Sequence, residues 1–139
     1  MLLLDNSAWG RLLQGRAPKA RADAIATMFD ADEIGVCMPF LLEAGFSARS
    51  AKDRKAVMAR LDDLPRIAID HRIERLTLHA QRELTETGHH RLAPIDIMIA
   101  ACAHVAEAGV LHYDRDYDIL AEHTSLTVES EWLAPPGTL

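Results

Sequence analysis

The chain has 139 residues, of which 49% are hydrophobic and 26% charged. That is enough sequence and enough apolar content for one buried core, which excludes a disordered chain. The formal net charge is −6, a total that by itself argues against nucleic acid as the partner.

No apolar run approaches the ~18 residues of a membrane helix. The opening Leu2-Leu3-Leu4 runs straight into Asp5 and is too short for a signal peptide. Cys37 and Cys102 sit in apolar runs without CxxC or zinc spacing. They read as buried thiols of a cytoplasmic protein. With no repeat or linker, a single domain is expected over 1–139, with a short tail from about 133 around Pro135-Pro136-Gly137.

In chain order, Leu2–Leu4 reads as a short buried strand that stops at Asp5. Asn6 or Ser7 caps a helix over about 8–13, ended near Gly15. Pro18 suits the first turn of a second helix, running to about Phe29. Ile34–Met38 is a second strand, after which Pro39 opens a helix carrying Glu43. A helix over 52–64 puts Val57, Met58, Leu61 and Leu64 on one face and ends at Pro65. Residues 66–70 form a third strand, and 71–87 a long amphipathic helix with the stripe Ile73, Leu76, Ala80, Leu84. Pro94 starts a helix that is apolar almost all round and ends at Gly109. A fourth strand over 110–113, a short helix over 117–121 and an edge strand over 126–128 complete the chain.

Strands separated by helices imply parallel pairing. The expected fold class is α/β, a three-layer α/β/α sandwich with a central, mostly parallel sheet. Ligands of such sheets bind beyond the carboxyl ends of the strands. Asp5 follows the first strand and Asp114 the fourth, with Asp116 two residues on; Asp96 and Glu43 lie in early turns of helices that start from the same rim. Each acid has an ordinary explanation as a cap, a turn residue or a partner of a helix dipole. Glu43 fits those least well, because apolar residues flank it on both sides. Together these acids would repel one another and raise one another's pKa values unless a cation joined them. A hard divalent cation, Mg²⁺ or Mn²⁺, suits carboxylate oxygens, and it can activate water for attack on a phosphodiester.

The segments Leu3-Leu4-Asp5-Asn6-Ser7-Ala8, Pro39 to Glu43, Pro94-Ile95-Asp96 before Ile99-Ala100-Ala101, and Val110 to Tyr117 resemble, in order and spacing, a PIN domain, and more narrowly the VapC-type toxins of bacterial toxin–antitoxin pairs. The resemblance spans essentially the whole chain. It implies a three-layer fold and Mg²⁺- or Mn²⁺-dependent cleavage of RNA that inhibits translation and growth. It also implies a homodimer and a VapB-like antitoxin whose tail fills the acidic cleft. Carried over by position, Asp5, Glu43, Asp96 and Asp114 match the four acidic positions, Asp116 an additional one, and Ser7 a hydroxyl residue supporting the first aspartate. On this reading Asp5, Asp96 and Asp114 hold the metal, while Glu43 and Asp116 hold or orient the attacking water. Asn6 stands where threonine is frequent and Tyr117 where phenylalanine is frequent; neither is expected to touch the acids.

Other readings fit less well. A receiver-like phosphoacceptor domain would pair a second acid with the first and carry a late lysine, yet no lysine follows Lys55. A haloacid-dehalogenase-like phosphatase would need an acid where Ser7 stands. A non-catalytic interaction module of the same fold has no need of the complete acid set. His89-His90 reads as solvated loop, and Trp9 and Trp132 as packing or dimer-contact residues. Arg115, between two site acids, is a candidate for phosphate contact or for neutralising the acids. The net charge is partitioned: residues 6–22 and 44–61 each carry +4, leaving −14 on the rest. These basic segments, with Arg11, Arg49 and Lys52 as candidates, are expected to flank the cleft and hold RNA phosphates.

Overall fold

The computed structural model describes residues 1–139. Five strands form the sheet: β1 (Leu2–Leu4), β2 (Ile34–Cys37), β3 (Arg66–Ile67), β4 (Gly109–His112) and β5 (Glu129–Trp132). Their order is β3-β2-β1-β4-β5 and every pairing is parallel. The pairs α1 (Asn6–Leu13) with α2 (Lys19–Asp30), and α3 (Met38–Phe46) with α4 (Ala51–Leu61), connect the strands on one side of β1. The chain then crosses to the other side through α5 (His71–Glu86) and α6 (Pro94–Ala106), and α7 (Asp116–His123) leads to β5. Right-handed crossovers in opposite directions place helices on both faces, which makes the expected three layers. The direction of winding reverses between β1 and β4, so the crevice beyond their carboxyl ends is the topological switch point of the sheet.

The core is one cluster of 29 buried residues. Central strand residues Leu3, Leu4, Val36, Val110 and Leu111 are completely buried. Helix α6 is buried on nearly all sides, from Ile97 through Ala103 apart from Met98, as its all-round apolar sequence predicts. The stripe of α5 is also as expected, with Ile73, Ala80 and Leu84 buried.

Several boundaries shift for identifiable reasons. Helix α1 begins at Asn6 because Asp5, rather than Asn6 or Ser7, is its cap; the Asp5 carboxylate accepts the Ser7 N–H at 2.8 Å. Strand β3 is only two residues long, and Asp70, at the end of the expected strand, instead caps α5 by accepting the Ile73 N–H at 2.9 Å. Gly109 does not end α6. The helix stops at Ala106 with Glu107 in the left-handed region (φ 52°), and Gly109 is the first residue of β4, between β1 and β5. A Cβ there would lie 2.8 Å from the Leu2 side chain and 3.0 Å from the Glu129 carbonyl oxygen. Strand β4 therefore ends at His112, and Asp114 follows one residue later than expected. The edge strand falls on Glu129–Trp132, with Leu126 and Val128 buried in the segment that leads into it. Leu133 and Ala134, at the start of the expected tail, are buried.

Candidate active site at the carboxyl rim of the sheet

Register builds the site. Leu4 of β1 pairs with Leu111 of β4, and the Asp5 N–H donates to the Leu111 carbonyl at 3.1 Å. Asp5 therefore leaves the sheet beside the end of β4. Its side chain is 3% exposed, and a carboxylate so buried needs donors. It has three: the Ser7 N–H, the Ser7 hydroxyl and the Tyr117 hydroxyl, the last at 2.8 Å. Ser7 also accepts the Tyr113 N–H at 2.8 Å, which ties the start of α1 to the loop after β4. The expected support of Asp5 by Ser7 is thus a pair of hydrogen bonds. Tyr117, expected to stand clear of the acids, in fact donates to Asp5. Burial, then the charges of Asp5 and Asp96, raise its phenol well above its ordinary value, so it is a fixed donor.

Carboxylate oxygens of Asp96, Asp114 and Asp116 come within 4.8 Å of one another. Asp96 is in the first turn of α6, after Pro94, and is 7% exposed. No N–H or hydroxyl donates to its carboxylate. Burial, then Asp5, Asp114, Asp116 and Glu43, push its pKa up to about 8. Asp114 accepts the Asp116 N–H at 3.0 Å, a turn that sets Asp116 as the first residue of α7. Burial and the Asp114 charge raise Asp116. Glu43 is half-buried on α3 and has no hydrogen-bond donor; burial and the Asp5 charge raise it as well. All five sequence-predicted acids thus share one rim. Asp5 lies outside the tight trio, occupied by its own donors, and acts on Asp96 and Glu43 through its charge.

A crowded set of hard oxygen donors, with one buried carboxylate that nothing else satisfies, fits a divalent cation. Of the expected metal set Asp5, Asp96 and Asp114, the last two lie with Asp116 in the group close enough to share one ion. Asp5 and Glu43 add negative potential around them.

The basic candidates separate. Arg11 is half-buried; it donates to the Ser7 carbonyl at 2.9 Å and lies over the Tyr113 ring at 4.2 Å. It braces α1 against the loop after β4. Arg49, Lys52 and Arg115 are exposed and pair with no carboxylate. Arg49 lines a cleft of about 420 Å³ between α1, α3 and α4 that begins at Asn6, next to Asp5. Trp9 is buried against Phe29, whereas Trp132 packs on His112 and Tyr113 in β5. His89 packs against the His123 ring, tilted, with centroids 4.3 Å apart.

His112 is the residue the sequence reading passed over. It is completely buried between Tyr117 and Trp132, and its Nδ1 accepts the Asp114 N–H at 3.1 Å. Burial lowers its pKa against the nearby charges of Asp118, Asp5 and Asp114, in keeping with a ring whose Nδ1 accepts an N–H. The available signal was a polar residue ending the apolar run Val110-Leu111, since a buried polar group needs partners.

The PIN domain family matches residues 2–123. The chain belongs to the PIN-domain family. This PIN domain is 36% identical over 139 residues to Ribonuclease VapC18 of Mycobacterium tuberculosis, covering 98% of the chain and 97% of that protein. Among solved structures it superposes on the DNA-bound VapBC of Salmonella typhimurium with a TM-score of 0.74 at 18% identity, covering 96% of this chain and 100% of that one. It superposes on VapBC-5 of Mycobacterium tuberculosis with a TM-score of 0.60 at 19% identity, covering 93% and 97%. At those identities the structural matches establish the fold, which is the one expected.

Proposed function

We propose that this PIN domain is a divalent-metal-dependent endoribonuclease of the VapC kind, the toxin of a toxin–antitoxin pair. The observation that carries the reading is the trio Asp96, Asp114 and Asp116, with the Asp96 carboxyl pushed up to about 8 by the acids around it. The likeness to ribonucleases of the same length supports it.

Asp96, Asp114 and Asp116 would hold the cation, Mg²⁺ or Mn²⁺. When bound, that ion supplies an activated water and offsets charge developing on the scissile phosphate. Glu43, with no donor of its own, takes a proton from water at the rim. Asp5 keeps the field negative, and its three donors hold its carboxylate in place. Arg115, Arg49 and Lys52 hold the flanking phosphates. The protein works in the cytoplasm as a homodimer. A VapB-like antitoxin is its partner, as the structural neighbours solved as VapBC complexes suggest, and blocks the acidic cleft.

RNA cleavage by the purified chain tests this. Activity is expected with Mg²⁺ or Mn²⁺, is abolished by EDTA, and falls by at least about 100-fold in Asp96→Asn and Asp5→Asn. Full activity in either variant, or in EDTA, contradicts it.

A further inference from the structure

The loop that carries Asp114 and Asp116 is held from the side away from the cleft by a chain of hydrogen bonds that the nuclease reading does not use. The Asp114 N–H has one acceptor, His112 Nδ1, at 3.1 Å; no backbone carbonyl takes it. An acceptor at Nδ1 has no proton there, so the proton of the neutral ring is on Nε2. Nε2 lies 2.7 Å from Ser130 Oγ. The single hydroxyl proton of Ser130 goes to Asp118 Oδ1 at 2.5 Å, which leaves Oγ free to accept from Nε2. Asp118 in turn is fixed by the Trp132 indole N–H, 3.2 and 3.1 Å from its two oxygens. Every donor and acceptor in the chain has one consistent role. The imidazole has no room to turn, lying between the Tyr117 and Trp132 rings at 4.8 and 4.9 Å. The Leu133 N–H holds the His112 carbonyl at 2.7 Å. Ser130 and Trp132 lie beyond residue 123, outside the segment that the PIN family matches.

We infer that His112 is a positioning residue for the acidic trio: its Nε2–H tautomer, fixed by Ser130 and Asp118, presents Nδ1 to the Asp114 N–H and thereby sets the turn in which Asp114 accepts from Asp116. An apolar side chain would fill the same space and leave the half-buried Asp114 N–H without a partner. The inference rests on the proposed metal-holding role of Asp114 and Asp116, but the wiring itself does not. The edge strand β5 is then more than a cover for the sheet, because it supplies the hydroxyl that selects the tautomer.

The test begins with the unmodified, metal-free protein. Long-range ¹⁵N NMR of the His112 ring at neutral pH should show the proton on Nε2 and a bare Nδ1; an Nδ1–H tautomer overturns the inference whether or not the protein cleaves RNA. Two variants then separate acceptor from filler. His112→Asn keeps an oxygen where Nδ1 stands but cannot reach Ser130, and His112→Gln reaches Ser130 but offers nothing at the Nδ1 position. Mn²⁺ affinity, read by calorimetry, is expected to stay within about threefold of the parent in the first and to fall about tenfold or more in the second. Equal losses in the two, at matched melting temperatures, would mean that His112 merely fills space.

Discussion

At the residue scale, the site depends on how two side chains share Asp5. Ser7 donates twice to one of its oxygens and also accepts from the Tyr113 N–H, whereas Tyr117 donates once to the other. Ser7→Ala removes a donor and an acceptor together, leaving the half-buried Tyr113 N–H unpaired; Tyr117→Phe removes one donor and leaves the ring in place. Losing a hydrogen bond to a charged group costs about 1.5–3 kcal/mol, and an orphaned buried group adds to that. Ser7→Ala should therefore lower the melting temperature and the cleavage rate more than Tyr117→Phe, which should retain cleavage within about tenfold of the parent. Equal damage, or the reverse order, in paired melting and cleavage measurements would mean that Ser7 does not join the two loops. The acids themselves were legible in the sequence because parallel strands send successive strand ends to one rim. The donors were not. Tyr117 meets Asp5 across 112 positions of chain, and that meeting depends on how α7 packs against α5, α6 and β5, which no local pattern encodes.

At the element scale, helices were read closely and strands less so. Helix α5 carries a 3.6-residue apolar stripe over four turns, and α6 is bounded by Pro94, so each has a signal longer than its boundaries. The strands have two to four residues, too few for a period to show. β5 was displaced because its sequence, Glu129-Ser130-Glu131-Trp132, is polar, and its pairing with β4 is a tertiary fact. Helix α4 has a different kind of content. Lys52, Arg54, Lys55 and Arg60 have no carboxylate partner, and the Asp53 carboxylate is occupied in accepting the Arg49 N–H, while its own N–H donates to the capping Ser50 hydroxyl. A phosphate-contacting role for this face predicts that Lys52→Glu weakens RNA binding and lowers the slope of log affinity against log salt by about one. An unchanged slope would make α4 an ordinary solvated helix. Arg11 is not a clean probe of the same idea, because reversing its charge would also lose its contact with Tyr113.

At the scale of the whole molecule, the charge of −6 is a sum over opposed regions. Five of the acids lie at one rim, and the fold holds them there at an electrostatic cost that the metal-free protein relieves by keeping a proton on Asp96. An aspartate raised from 3.8 to about 8 binds its proton more tightly folded than unfolded. The metal-free protein therefore loses stability as pH rises through that window, and a cation that replaces the proton restores it. Two features follow from one arrangement: a proton still held on Asp96 near neutrality although stability falls there, and a site that charges itself when metal arrives.

Titration of Mn²⁺ into the metal-free protein, with released protons counted, tests this most directly. Near pH 7, binding should release close to one proton, and affinity should climb by up to about tenfold per pH unit until it levels off above about 8. Asp96→Asn should release no proton and bind far more weakly. Binding with no proton release and no pH dependence, or undiminished in Asp96→Asn, would contradict the account of this rim as a cation site.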